Sequence, residues 1–481
     1  MAVETVTKPK EYQYLVGGKW ISSGEKLEVR SPYSHDVAAV IEMATKKDVD
    51  NIIDSSLEGF AIMKKTPSYK RAEMLHGIAQ RIRDRKEELA RAMTLESGKP
   101  IKDSRAEIDR AVMTFTIASE EAKRIPGEAI PMDLNAASEG RFGVIRRFPI
   151  GPILGITPFN FPLNLVAHKV APALASGNSI IIKPSTRTPV SSLLLGEIAL
   201  DAGVPAGALN VVPCSNDVTQ MFVADDRIKM ITFTGGTEVG WDIKGKSGRK
   251  RVTLELGGNA AAIIDKGSDI DYALKRTVVG AFYYAGQSCI SVQRMYIHRS
   301  VYDEFLDRYL IEVKKLKVGD PLDEATDVGP VIDMDAADRV EEWISEAINH
   351  GAKLLTGGKR SGQIFEPTVL ENVSPDVKVA CREAFAPLVA VQSFDKFEDA
   401  VRMVNDSEYG LQAGVFTNNL RNIVYAYNEL EVGQVIINDA PTYRIDHMPY
   451  GGVKASGFGR EGIRYSIEEM TEIKLLAVNV L

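Results

Sequence analysis

Cysteine is scarce. The 481 residues contain only Cys214, Cys289 and Cys381, an odd and widely spaced set that argues against a disulfide framework and against CxxC metal clusters. Histidine is nearly as sparse, with six residues and no HExxH pair, so no metal site is expected. There is no GxSxG elbow of a serine hydrolase. Long apolar runs are missing too: the longest, at 179–182 and 260–264, fall far short of the ~20 residues a spanning helix needs. Residues 1–10 carry no apolar signal core, and a cytoplasmic address is expected. Positive charge is not in excess, with 58 Lys and Arg against 65 Asp and Glu and a net charge of −7, which speaks against general nucleic-acid binding.

What is present reads as a globular α/β enzyme, 44% hydrophobic and 26% charged, long enough for roughly three structural units. From about Asp48 the chain turns helical, and Leu75, Ile78, Ile82, Leu89 and Met93 recur near helical spacing among Arg, Lys and Glu, so one face packs while the other is solvated. Between residues 146 and 264 apolar β-branched runs alternate with amphipathic stretches: NSIIIKP, ALNVVP, KMITFTGG, RVTLELGG and AAAIID. That alternation predicts βαβ units and a parallel sheet. A second α/β region follows Gly267. Its helix at Val340, Trp343, Ile344, Ala347 and Ile348 ends toward Gly351, and a strand is expected near 434–438. The stretch 472–481 reads as a strand with no partner in its own neighbourhood.

Two nucleotide motifs match in letters and fail in context. Gly240 to Ser247 satisfies GxxxxGK[ST], yet the preceding strand ends at Thr234, so the match falls inside a helix and not in a loop that opens one. Gly457, Gly459 and Gly462 satisfy GxGxxG but leave no room for a βαβ unit with its downstream acid. The basic run 244–251 is a solvated helix end and turn.

Cys289 lies in FYYAGQSCISVQR among small and polar residues, a setting for an exposed nucleophilic thiolate, which requires something to lower its pKa and something to hold an oxyanion. Four segments have suitable chemistry. TPFNFP places Asn160, an amide donor, in a proline-stiffened loop. IIIKPSTRTP puts Lys183 at a strand's carboxyl end, where open α/β sheets bind ligands. FTGGTEVG exposes amides at a helix N-terminus, suited to a pyrophosphate. LELGGN sets Glu255 in an apolar strand end, where desolvation raises a carboxyl toward general-base range. Each also has a bland reading: a turn Asn, a snorkelling Lys, a common Gly-Gly turn, a satisfied buried Glu.

Together with HKVAPAL, REAFAPL and PYGGVKASGFGRE, these segments resemble the NAD(P)-dependent aldehyde dehydrogenase superfamily across almost the whole chain. The resemblance implies a Rossmann-like coenzyme domain (1–121 and 141–256), a second α/β catalytic domain (257–450) and a small β extension for oligomerisation (122–140 and 468–481). It implies Cys289 as nucleophile, Asn160 with the Cys289 backbone amide as oxyanion hole, Glu255 as the base for the deacylating water, and Lys169 and Glu461 as its proton relay. The coenzyme site would comprise Thr157, Pro158, Phe159, Lys183, Ser185, Thr186, Thr234, Gly235, Gly236 and Leu256, with Glu383 and Phe385 holding the nicotinamide ribose and ring. A homotetramer, a dimer of domain-exchanged dimers, is expected.

Departures from the pattern refine these expectations. Thr186 stands where NAD-preferring relatives often carry Glu, so NADP is expected to be preferred and NAD possible, with Lys183 and Arg187 nearby. Gly236 replaces a frequent Ser. The segment 438–452, NDAPTYRIDHMPYGG, resembles the branch of lactaldehyde and non-phosphorylating glyceraldehyde-3-phosphate dehydrogenases, and Arg444 or His447 could contact the far end of a substrate. The alternative for Arg444 is structural pairing with Asp439 or Asp446. Ser288, where enzymes of phosphorylated substrates tend to carry Arg, weakens the triose-phosphate option, and a small polar or short-chain aldehyde is favoured. Coenzyme A-acylating members tend to lack the Glu of LELGG, so Glu255 favours hydrolysis, and the filled catalytic positions disfavour a non-enzymatic structural protein.

Overall fold

The computed structural model describes residues 9–480; most of the 1–10 stretch and Leu481 lie outside the described residues. Five short strands, Ile153–Ile156, Ile180–Lys183, Leu209–Val211, Met230–Thr234 and Arg251–Glu255, run parallel in the middle of an eight-stranded sheet. They are buried almost throughout, as strands covered by helices on both faces must be. Antiparallel edges are added by Tyr14–Val16 and Lys19–Ile21 on one side and Gly457–Phe458 on the other. The chain leaves Ile153–Ile156 in one direction for two strands, then crosses back to lay Met230–Thr234 on its other flank. That reversal opens a crevice at the strands' carboxyl ends, where Thr157 and Gly235 begin their loops.

The phosphate-loop match falls within the helix Thr237–Lys246, and GxGxxG spans a strand and the start of the helix Ile463–Glu469. Leu75, Ile78, Ile82, Leu89 and Met93 are fully buried, each contributing about 1.5–3 kcal/mol on burial. They belong to two helices, Ser68–Asp84 and Lys86–Ser97. The break is at Arg85, whose guanidinium bonds Glu88 and Glu197, and whose backbone leaves the helical region.

The second sheet has seven strands in the order Lys353–Thr356, Thr368–Glu371, Leu388–Phe394, Arg294–His298, Ala261–Ile264, Gln412–Phe416 and Gln434–Ile437, parallel except for the first. The helix Met334–Asn349 buries Val340, Ile344 and Ala347 against it and leaves Ile348 exposed. Gly351 follows at φ 95°.

A third sheet projects from both. The C-terminal strand Thr471–Asn479 pairs antiparallel with Arg141–Pro149 along its whole length, and Glu128–Pro131 covers the other edge of Arg141–Pro149. The terminal strand therefore has a partner in its own chain, far away in sequence. Residues 141–149 join this extension and not the first sheet, while Gly457–Phe458 and Ile463–Glu469 return to the first sheet because Ile463 and Ile467 complete its core. Among the described residues no helix is long and apolar enough to cross a membrane.

Candidate active site

Where the first sheet's carboxyl ends face the second domain, a cavity of about 1800 Å3 opens between them. Cys289 reaches it from a turn that follows the helix Ile270–Phe282. Tyr284, Ala285 and Gly286 take successive left-handed conformations, at φ 48°, 52° and 69°, an uncommon and strained run that tertiary packing must hold in place. Gly286 is obligatory there, since a Cβ would stand 2.0 Å from the Ala386 carbonyl oxygen.

Cys289 is half-buried at the cavity wall, and burial pushes the thiol up to about 11, against the pull of the Tyr450 hydroxyl and the Arg444 charge. Tyr450 Oη lies 3.1 Å from Sγ. Asn160 lines the same wall, and its Nδ2 donates to the Gln287 carbonyl at 3.0 Å, which fixes the amide beside the cysteine's own turn.

Glu255 ends its strand in the cavity, and both carboxyl oxygens are buried without a hydrogen bond. Burial, then the neighbouring Glu461, raises its pKa well above the carboxylate range. Gly451, at φ 149°, makes room for it, because a Cβ there would come within 2.9 Å of Glu255 Oε1. Lys169 and Glu461 lie behind this surface and do not line it. Lys169 Nζ bonds Glu461 at 2.7 Å, Thr234 at 2.8 Å and Thr232 at 3.0 Å. Burial alone would raise the Glu461 carboxyl, but Lys169, His168 and Arg444 outweigh it and hold the group below its ordinary value.

Arg444 reaches the cavity with its guanidinium stacked over the Tyr450 ring, 3.6 Å from the centroid, and 3.7 Å from Glu461 Oε2. Its Nε and Nη2 are buried without a hydrogen bond. Neither expected structural partner takes it: Asp439 pairs with Arg276, and Asp446 is held by Arg110, His168 and Asn164. Asp446 is buried, while His447 next to it is exposed and does not line the cavity.

The other arm of the cavity is built from strand ends and turns. Thr157, Pro158 and Phe159 line it, followed by Ser185 and Thr186, then Thr234, Gly235, Gly236 and Leu256. Lys183 ends its strand there; burial lowers its pKa, and it makes no hydrogen bond or ion pair among the described residues. Gly236 caps the helix Thr237–Lys246, and a Cβ added there would meet nothing within 4 Å, so space does not demand glycine. Glu383 accepts from the Gly258 amide at 3.1 Å, and burial lifts its carboxyl to about 7. Phe385 stands edge-on to Phe159 at 5.7 Å. Arg187 is bound to Asp333 at 2.8 Å and stays outside the cavity, so it offers no free cation beside Thr186. An unpartnered buried lysine, an open helix N-terminus and a carboxyl fit a dinucleotide, whose phosphates and ribose Lys183 and the 236–237 amides would hold, while the Gly235 amide donates to the Glu255 carbonyl at 3.1 Å.

Tyr450 was not singled out from sequence. Its only signal was its place beside Gly451 in PYGG, where an aromatic residue reads as packing.

Residues 20–476 match the aldehyde dehydrogenase family. Among relatives, 3-sulfolactaldehyde dehydrogenase of Priestia megaterium is 44% identical over 99% of this chain and 100% of its own length. Among solved structures, aldehyde dehydrogenase 21 of Physcomitrella patens, in complex with the reaction product succinate, superposes with a TM-score of 0.97 at 44% identity, covering 98% of this chain and 99% of that one. The glyceraldehyde-3-phosphate dehydrogenase GapN of Methanocaldococcus jannaschii, complexed with NADP, gives 0.91 at 40% identity over 94% and 99%. With a thiol, a buried carboxyl and a crevice at the strands' carboxyl ends in one cavity, and such matches along its length, the chain belongs to the aldehyde dehydrogenase family and is an oxidoreductase.

Proposed function

We propose that the protein oxidises a small aldehyde of the sulfolactaldehyde, lactaldehyde or semialdehyde type to its carboxylic acid, favouring those with an anionic far end over neutral lactaldehyde, with NADP as preferred coenzyme. One observation carries the substrate class: Arg444 presents a buried guanidinium, with Nε and Nη2 unbonded, to the cavity that contains Cys289. Glu461, its nearest carboxylate at 3.7 Å, is shared with Lys169, and a buried cation with donors lacking hydrogen bonds is costly unless a further acceptor completes it. The relatives' sulfonate and carboxylate compounds have such an acceptor.

The chain's residues divide the work. Cys289 releases its proton to water in the cavity and adds as thiolate to the aldehyde carbon, whose oxygen becomes an oxyanion beside the Asn160 amide and the Cys289 N–H. The coenzyme, when bound, supplies the acceptor for the hydride that leaves this carbon. The carbon stays on sulfur as a thioester. Glu255, as carboxylate, then takes a proton from a water that adds to the acyl carbon; the C–S bond breaks, the thiolate is restored and the acid leaves. The Lys169–Glu461 pair holds charge behind Glu255 and provides a route for that proton. Glu255 favours this hydrolysis over acyl transfer to coenzyme A. Thr186 and the unpaired Lys183 support the NADP preference, since neither repels a 2′-phosphate.

The terminal strand Thr471–Asn479 exposes Ile473, Leu475 and Leu476. Such an apolar arm supports exchange between protomers in a tetramer of paired dimers. Three free cysteines suit a reducing cytoplasm.

The test is a kcat/KM panel of 3-sulfolactaldehyde, succinic semialdehyde, lactaldehyde and glyceraldehyde with each coenzyme. Anionic aldehydes should lead, and equal efficiency with neutral lactaldehyde would remove the role given to Arg444.

A further inference from the structure

We propose that Tyr450 is a catalytic residue whose phenolic hydroxyl donates a hydrogen bond to the Cys289 thiolate, with Arg444 as the positioning residue that strengthens that donor from the ring face. The proposal rests on Cys289 being the nucleophile, and its test needs neither aldehyde nor coenzyme.

The geometry is specific. Oη stands 3.1 Å from Sγ, and the guanidinium of Arg444 lies over the ring 3.6 Å from its centroid. The ring cannot swing away easily. Tyr450 is 2% exposed, packs with Ile290 and Leu411, and exchanges backbone hydrogen bonds with Glu461 in both directions, at 3.0 and 2.7 Å. A cation on the face of a phenol withdraws charge from the ring and makes its O–H a better donor. A hydrogen bond to an ionised acceptor is about twice as strong as one between neutral groups, so the contact favours thiolate over thiol.

The direction of the bond follows from which group ionises. Burial raises both, and a thiol is ordinarily the more acidic of the two groups, about 8.5 against about 10. The charged groups facing the pair are Glu255 and Glu383, which disfavour a thiolate, and Arg444, which favours it. Glu461 is engaged by Lys169 behind them. Sulfur therefore loses its proton first, and the phenol, still protonated, becomes the donor. Without that donor, the charged group that favours the thiolate, Arg444, would act from across the ring.

The experiment measures iodoacetamide alkylation of Cys289, resolved by peptide mass spectrometry, as a function of pH in wild type and Tyr450→Phe. Losing a hydrogen bond to a charged group should raise the thiol midpoint by about 1 to 2 pH units. Because a thiolate of higher pKa is more reactive, the rate at pH 8 should fall roughly three- to tenfold. Cys381 serves as the internal control and should be unchanged. Protein made with 3-fluorotyrosine, a stronger donor, should move the midpoint downward, and this arm decides the matter if Tyr450→Phe perturbs the fold. A midpoint in folded Tyr450→Phe equal to or below wild type, or an upward shift with fluorotyrosine, overturns the proposal.

Discussion

The two ends of the cavity are built on different principles. The coenzyme end consists of strand termini, hydroxyls and exposed amides, with Lys183 at the carboxyl end of a central strand of the first sheet and Glu383 reaching in from the second domain. It follows from topology: the strand order reverses beside Ile153–Ile156, and a crevice opens there. The reaction end gathers Glu255, Cys289, Arg444 and Tyr450, backed by Lys169 and Glu461, from segments scattered over two hundred residues, and several of their polar atoms lack hydrogen bonds. Unsatisfied buried groups cost about 1–3 kcal/mol each. Packing alone would replace them with apolar side chains, so their retention speaks for chemistry. One end binds because of how the sheet is wound, the other reacts because it is left incomplete.

Perturbing each end separately should break or sharpen that contrast. Cys289→Ser should lower turnover by roughly 10^4-fold or more while NADP binding by calorimetry stays intact, because no coenzyme-end group is touched. Glu255→Gln should cost roughly 10^2- to 10^4-fold in kcat but keep a stoichiometric burst of NADPH, since acylation precedes the step that needs the base. Arg444→Gln should raise KM for anionic aldehydes about 10- to 100-fold more than for neutral lactaldehyde, on top of a loss common to both from the less favoured Cys289 thiolate. Both Cys289 and Glu255 have folded-state pKa values raised by burial and both act deprotonated. Their active forms therefore grow as pH rises, and kcat/KM should climb between pH 7 and 9 by at most about tenfold per unit for each group. At the other end, Thr186→Glu should shift the NADP-to-NAD ratio toward NAD by about tenfold or more without altering the thiol's alkylation profile.

Much of the molecule was legible in the sequence where local pattern and tertiary environment agree. The apolar runs IIIK, MITFT and RVTLE are strands because residues buried on both faces need no alternation. Asn160, Glu255 and Cys289 were recognisable because each lies at a motif, and one cavity receives all three. Arg85 was not legible as a break, since it carries neither Gly nor Pro and its partner Glu197 is more than a hundred residues away. The terminal strand's partner, Arg141–Pro149, is equally remote in local pattern, and it was the family resemblance that set residues 128–135 and 142–148 with the terminal strand in one oligomerisation arm. His447 and Arg444 looked alike as polar candidates in one loop, and the structure separates them: Arg444 lines the cavity and His447 is exposed outside it. Tyr450 was hidden because its function lies in a hydroxyl whose target is 161 residues away.

The covalent route is tested most directly by trapping its intermediate. Glu255→Gln is mixed with NADP and succinic semialdehyde, quenched in acid within the burst, and the Cys289 peptide is weighed. The account predicts one acyl group on Cys289 for each NADPH formed. NADPH formation with an unmodified Cys289 peptide would contradict it.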